Sequence, residues 1–195
     1  AISTSGDVPP QLVNSQLVYS HVTRSFYLFG GIALSTSAYT AAVQPSETWK
    51  LDITSATSAN WTKLAPTCWP GCPQPRRSHR MAEVNYQKTA NCTLSSPCSY
   101  GIFMEGGTAN GLDFMSDRWM FDPTANSGQG HWSNVNGFPP RRAAAMASYQ
   151  LTLPNGTIQE RALLYGGETG LESWPFKKGT IAGAMVSVLA GYLPP

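Results

Sequence analysis

The sequence is short of charge. Asp, Glu, Lys and Arg make up only 12% of its 195 residues, and the net charge is +2. Lys and Arg do not cluster beyond three pairs, Arg76-Arg77, Arg141-Arg142 and Lys177-Lys178. The electrostatic footprint expected of a nucleic-acid or anionic-membrane binder is therefore missing. Histidine is scarcer still: His21, His79 and His131 are the only three, and no carboxylate or cysteine is spaced to complete a ligand set with them. They read as satisfied strand histidines. There is no Gly-x-Ser-x-Gly elbow and no phosphate loop. No segment before residue 180 carries a convincing helical period. These absences leave no residue to assign as catalytic, cofactor-binding or metal-binding, and the expectation is a protein without enzymatic activity.

Glycine is present in a pattern. An apolar run ends in a glycine pair three times: Phe26-Tyr27-Leu28-Phe29-Gly30-Gly31, Ile102-Phe103-Met104-Glu105-Gly106-Gly107 and Leu163-Leu164-Tyr165-Gly166-Gly167. After the first pair come Trp49-Lys50-Leu51-Asp52, Trp61 and Pro75-Arg76-Arg77. After the second come Trp119-Met120-Phe121-Asp122, Trp132 and Pro140-Arg141-Arg142. The tryptophans are 12 and 13 residues apart, and Pro10, Pro75 and Pro140 are each 65 apart. Such an order of motifs marks an internal repeat. Short aromatic runs bounded by turn residues read as buried strands. Glycine ends a strand where positive φ or a close approach is needed. Proline before Arg-Arg belongs at a strand entrance. The arginine pairs occupy equivalent positions and read as structural, with packed stems and guanidinium groups bonding carbonyls. Asp52 and Asp122 read as turn formers.

The order of motifs over residues 9–167 resembles the kelch repeat. The resemblance implies an all-β fold of kelch-type β-propeller blades, one four-stranded blade per repeat. Strands are expected near 12–20, 25–29, 47–53 and 60–65, then 78–87, 99–105, 117–122 and 130–135, then 143–153 and 160–165. The period exceeds the ~50 residues usual for kelch, so loops are extended. The third repeat stops after its second strand, so residues 168–195 form an atypical tail. About two and a half blades cannot close a ring of the usual 4–8. The partial propeller should be open, its bare faces covered by a protein partner or by further copies in a homo-oligomer.

Compartment is read from small motifs. Asn60-Trp61-Thr62, Asn91-Cys92-Thr93 and Asn155-Gly156-Thr157 are N-glycosylation sequons, and cysteines number four. Together they imply N-linked glycans and a secreted or cell-surface protein. The start at Ala1 without a signal peptide fits a processed product. The favoured disulfides are Cys68–Cys72, across a Pro-Gly turn, and Cys92–Cys98, around a Ser-Ser-Pro loop. Zinc is the competing use of these thiols, but the two pairs fall at opposite ends of a blade. Antiparallel strands place alternate loops on one face. By that rule Asn60, Asn91 and Asn155 share one face. The opposite face holds long loops with Tyr39, Trp69, Phe114 and Phe138, a possible binding face unless these rings only pack their own loops.

Residues 181–193 are apolar or small throughout, with Gly183, Ser187 and Gly191 four apart. Thirteen residues fall short of a membrane span of ~20, so a packed strand or helix at an interface is expected first and membrane attachment second. The function expected is assembly or adhesion within an extracellular structure. The alternatives are a ligand- or glycan-binding module using the loop face, and a fragment of a secreted kelch-type metal oxidase.

Overall fold

Strand alternation dominates the architecture. A computed structural model describes residues 2–33, 45–86, 99–135, 140–152, 158–169 and 186–188. The strands are β1 (Ser3–Gly6), β2 (Leu12–Val13), β3 (Gln16–Ser20), β4 (Ser25–Phe29), β5 (Ile32–Ala33), β6 (Thr48–Ser55), β7 (Ser58–Leu64), β8 (Thr67–Trp69), β9 (Arg80–Tyr86), β10 (Ser99–Glu105), β11 (Arg118–Asp122), β12 (His131–Asn134), β13 (Arg141–Arg142), β14 (Ala145–Thr152), β15 (Ile158–Tyr165), β16 (Glu168–Thr169) and β17 (Val186–Val188). No α-helix occurs among the described residues, only a 3-10 turn at Asn126–Gly128. The described residues are all-β, in several sheets, none of them closed on itself.

Sheet I has the order β1-β7-β6-β4-β3 and sheet II the order β8-β12-β11-β10-β9. Each is a four-stranded antiparallel meander with a fifth strand added in parallel at its outer edge. Sheet III has the order β14-β15-β17. The fifth strands, β1 and β8, are too short to stand out in the sequence, and β1 is polar as well.

The third repeat continues further than its motifs do. Val186–Val188 pairs antiparallel with β15, in the place that β6 and β11 hold beside β4 and β10. The expectation that this repeat ends after two strands is therefore corrected. The Trp-x-apolar-Asp motif is gone, but strand pairing needs only backbone groups and β-branched side chains. The rest of the apolar stretch 181–193 lies outside the described residues. Among the described residues no helix is long and apolar enough to cross a membrane.

The core lies between the sheets. On β10, Ile102 and Met104 face sheet I and join Tyr27, Phe29, Phe121 and Trp132. Phe103, between them, points the other way and meets Met120 and Ala162 toward sheet III. This period of two is what a strand buried on both faces requires. Trp132 stacks at 4.8 Å on Phe121 and 5.3 Å on Phe29. Its indole N–H donates to Thr48 Oγ1 at 3.1 Å, which satisfies the one polar atom buried with it. Each such side chain contributes on the order of 2–3 kcal/mol through burial.

Candidate interaction face

The glycine pairs and arginine pairs meet at one end of the sheet stack. Gly30, Gly31, Gly106, Gly107, Gly166 and Gly167 all have positive φ. The turn they make lets sheets approach closely: a Cβ on Gly106 would run into the Arg141 carbonyl oxygen, and one on Gly30 into that of Arg76. Gly31 N–H donates to Arg76 O at 2.8 Å, and Gly107 N–H to Arg141 O at 2.9 Å. The first two pairs thus each tie their own sheet to the next.

The arginines complete this layer from the side chain. Arg76 is wholly buried. Its guanidinium donates to Gly106 O at 3.1 Å and forms a two-pronged pair with Asp117 at 2.6 and 2.5 Å. Burial pushes the Asp117 carboxyl up, but the Arg76 pair and the Trp119 indole N–H outweigh it and hold its pKa below the usual range. Arg141 donates to Gly166 O. Arg118 and Arg141 flank the buried Glu105 at 3.3 and 3.7 Å. Desolvation still raises the Glu105 pKa despite both cations. Arg76 and Arg141 thus bond strand-end carbonyls from equivalent repeat positions.

His79 is at the centre of this layer and departs from its expectation. It lies just before β9, fully buried, and neither ring nitrogen has a hydrogen-bond partner. Desolvation, then Arg76 and Arg80, lower its pKa to about 3. It edges onto Phe29 at 5.8 Å as a neutral ring. His131 and His21 do have partners, Thr67 Oγ1 at 2.7 Å and Glu83 respectively.

Beyond this layer a loop tip is held rigid. Thr108 Oγ1 accepts from Gly111 N–H, and Asn110 Oδ1 accepts from Leu112 and Asp113 N–H, all at 2.8 Å. Arg142 donates to Gly111 O, and its guanidinium lies 4.5 Å over the Phe114 ring. Phe114 is therefore half-buried and packs its own loop. The tip presents Leu112, which is 82% exposed. Trp69, the last residue of β8, is 73% exposed, and Cys68 and Cys72 are disulfide-bonded around it. Strand direction places both on this face. Tyr39 and Phe138 lie outside the described residues, as do Cys92, Cys98, Asn91 and Asn155. Asn60 lies near the start of β7, at the opposite end of the strands, and accepts from Ser5 Oγ at 3.1 Å.

A second feature runs along β3, β9 and β14. Leu17, Tyr19, Met81, Glu83, Met146 and Ser148 line a groove of about 610 Å3. Glu83 is buried there and accepts from the His21 backbone N–H at 3.1 and 3.2 Å, with the His21 ring nitrogen 2.5 Å away. The residues are 62 apart in sequence, so no local pattern announces the pair. With its donors already in place, the carboxylate clasps sheet I to sheet II. Asp122 caps a turn as expected, accepting from Thr124. Asp52 instead accepts from Ser25 within the sheet. Among the described residues no three His, Cys, Asp or Glu side chains gather as a metal site.

Comparison with known proteins gives distant relatives. No protein-family model matches the chain. It is 29% identical over 174 residues to Adagio-like protein 3 of Oryza sativa subsp. japonica, and 28% identical over 175 residues to Adagio protein 3 of Arabidopsis thaliana. Both matches take in 89% of this chain and 24% of the relative, so the chain spans about a quarter of their length. A cryo-EM structure of RAG in complex with one melted RSS and one unmelted RSS aligns with a TM-score of 0.47 at 14% identity, over 80% of this chain and 41% of that one.

Proposed function

We propose that this chain is a set of kelch-type propeller blades that acts as a protein-assembly module without chemistry of its own. The glycine turns at equivalent strand ends and the stacked meanders support the kelch reading. The observation that carries the assembly reading is a patch of exposed apolar side chains on the face of sheet I turned away from sheet II, beside the buried Leu28 and Trp49. Leu17 and Tyr19 there are 48% and 45% exposed, while the matching positions of sheet II are buried against sheet I. Apolar faces of this kind mark surfaces that a partner covers. A secreted or cell-surface location is part of the proposal; it rests on the sequons, with the Cys68–Cys72 bridge compatible with it. The test is native mass spectrometry of the glycoprotein from its source. A mass well above the 21.0 kDa of the chain plus glycans is expected; a lone glycosylated chain would overturn the reading.

A second reading, recognition of a ligand through the loop face, is favoured by Leu112 and Trp69. Both are large apolar side chains on braced turns, the arrangement from which binding hot spots are made. Replacing both by alanine should abolish such binding without changing the far-ultraviolet circular dichroism.

A further inference from the structure

The Cys68–Cys72 bridge joins no two elements of the fold. Its cysteines are four residues apart, and only Trp69-Pro70-Gly71 lies between them. Sheets I and II are held together by the glycine–arginine layer, by the His21–Glu83 clasp and by the aromatic core. None of these links passes through residues 69–72. A small closed loop also adds less stability than a large one. A bridge so placed can open without parting the sheets.

Both ends of the loop are anchored without the help of the sulfurs. On one side Cys68 packs against the core cluster, and its backbone pairs with Trp132 in the ladder of β8 and β12. On the other side Pro73 is buried, and the wholly buried Arg76 follows. Between these anchors the tip has little else to hold it. Among the described residues, no backbone hydrogen bond outside the strand ladders involves Pro70, Gly71 or Cys72. A Cβ placed on Gly71 would meet nothing within 4 Å. The bridge therefore sets the shape of the tip beside the exposed indole of Trp69. The two sulfurs also differ in access, since Cys72 is an exposed residue and Cys68 a half-buried one. Thiol–disulfide exchange depends on which sulfur the incoming thiolate reaches, and exposed bridges are the labile ones.

We propose that Cys72 is a modification site for an external dithiol, and that its bridge to Cys68 is a reversible switch on the Trp69 loop. One thiolate of the dithiol attacks Cys72 Sγ. A mixed disulfide forms there, the Cys68–Cys72 bond breaks, and its electron pair leaves on Cys68 Sγ, which takes a proton from water. The second thiol of the reductant then attacks the reductant's own sulfur in the mixed disulfide and passes its proton to Cys72, which leaves as a thiol. The protein gains two electrons and two protons, and the dithiol ends as its own disulfide. Opening frees residues 70–72 and loosens the short ladder of β8, so Trp69 is no longer held in one place. The effect on binding rests on the loop-face reading above, whereas the exchange chemistry does not.

Dithiothreitol is the probe. The folded full chain is treated without denaturant, quenched with iodoacetamide and mapped by tandem mass spectrometry, with Cys68 and Cys72 read separately from Cys92 and Cys98. Both Cys68 and Cys72 should be alkylated with no change in far-ultraviolet circular dichroism, and oxidised glutathione should restore the bridge. Amide exchange should rise in Thr67–Trp69 on reduction and stay low in β9 to β12. Reduced glutathione, a monothiol, should leave its earliest adduct on Cys72. A bridge that resists dithiothreitol until denaturant is added, a first adduct on Cys68, or lost protection in β9 to β12 would each overturn the switch and leave the loop-face reading standing. Reversible opening in a chain whose binding ignores alanine at Leu112 and Trp69 would overturn that reading and leave the switch.

Discussion

His79 sits between two sheets with neither ring nitrogen paired. Its pKa falls to about 3, against an ordinary 6.5. Between those values the unfolded chain takes up a proton that the folded chain refuses. The stabilising effect is therefore complete above 6.5 and is lost as pH falls toward 3, at about 1.4 kcal/mol per pH unit. Chemical denaturation across that range should show this slope, and His79→Gln should flatten it. Asp117 has the opposite origin and the same direction. Its lowered pKa adds stability above the normal carboxylate value that disappears as acid reaches its folded pKa, so the variant should keep an acid limb. Glycine gives a second residue-scale expectation. Gly106→Ala forces a Cβ onto the Arg141 carbonyl as well as a positive φ, whereas Gly128→Ala, also at positive φ, meets nothing within 4 Å. The second should cost about 1–2 kcal/mol in a thermal-melt comparison, and the first distinctly more.

At the scale of the element, most meander strands were legible because they combine aromatic alternation with hard stops. Ser25–Phe29 and Ser99–Glu105 are found as expected, and the strands Arg118–Asp122 and His131–Asn134 differ from the expected bounds by one residue at an end. What escaped was built from backbone rather than side chains. Thr67–Trp69 joins β12 in parallel although its side chains carry no strand pattern. Val186–Val188 pairs with β15 where the repeat motif has vanished. The repeat register also slips. Asn14 and Ser78 are equivalent, as are Ser78 and Ala143, yet the spacings are 64 and 65, so Pro10 and Pro75 do not match as their sequence spacing implies. In the site, Trp69 was legible because an exposed ring beside a Pro-Gly turn has a sequence signature. Leu112 and the His21–Glu83 clasp were not, since one depends on a loop braced by Arg142 and the other on two sheets meeting. The Cys68–Cys72 bridge closes a small loop, and removing it with serine at both positions should cost about 2 kcal/mol. Hydrogen exchange should then rise in β8 while β9 to β12 keep their protection.

For the whole molecule, the stack is held by a layer of polar links at one end and by apolar side chains through its depth. Arg76 belongs to both. Replacing it with alanine leaves Asp117 half-buried without its partner and should cost about 3–5 kcal/mol by denaturant titration. Lysine should not rescue it, because a single ammonium cannot reproduce the two-pronged geometry. The parallel outer strands have a different consequence. β1 and β8 occupy the rims of sheets I and II, so the long strands β7 and β12 offer no open ladder there. A four-residue strip with all its side chains exposed stands where an extended peptide from another chain would otherwise add. Removing residues 2–6 should uncover β7 and turn a clear solution into thioflavin-positive fibrils under conditions where the intact chain stays dissolved. The first few residues, which contribute nothing to the core, then act as a guard against amyloid-type growth.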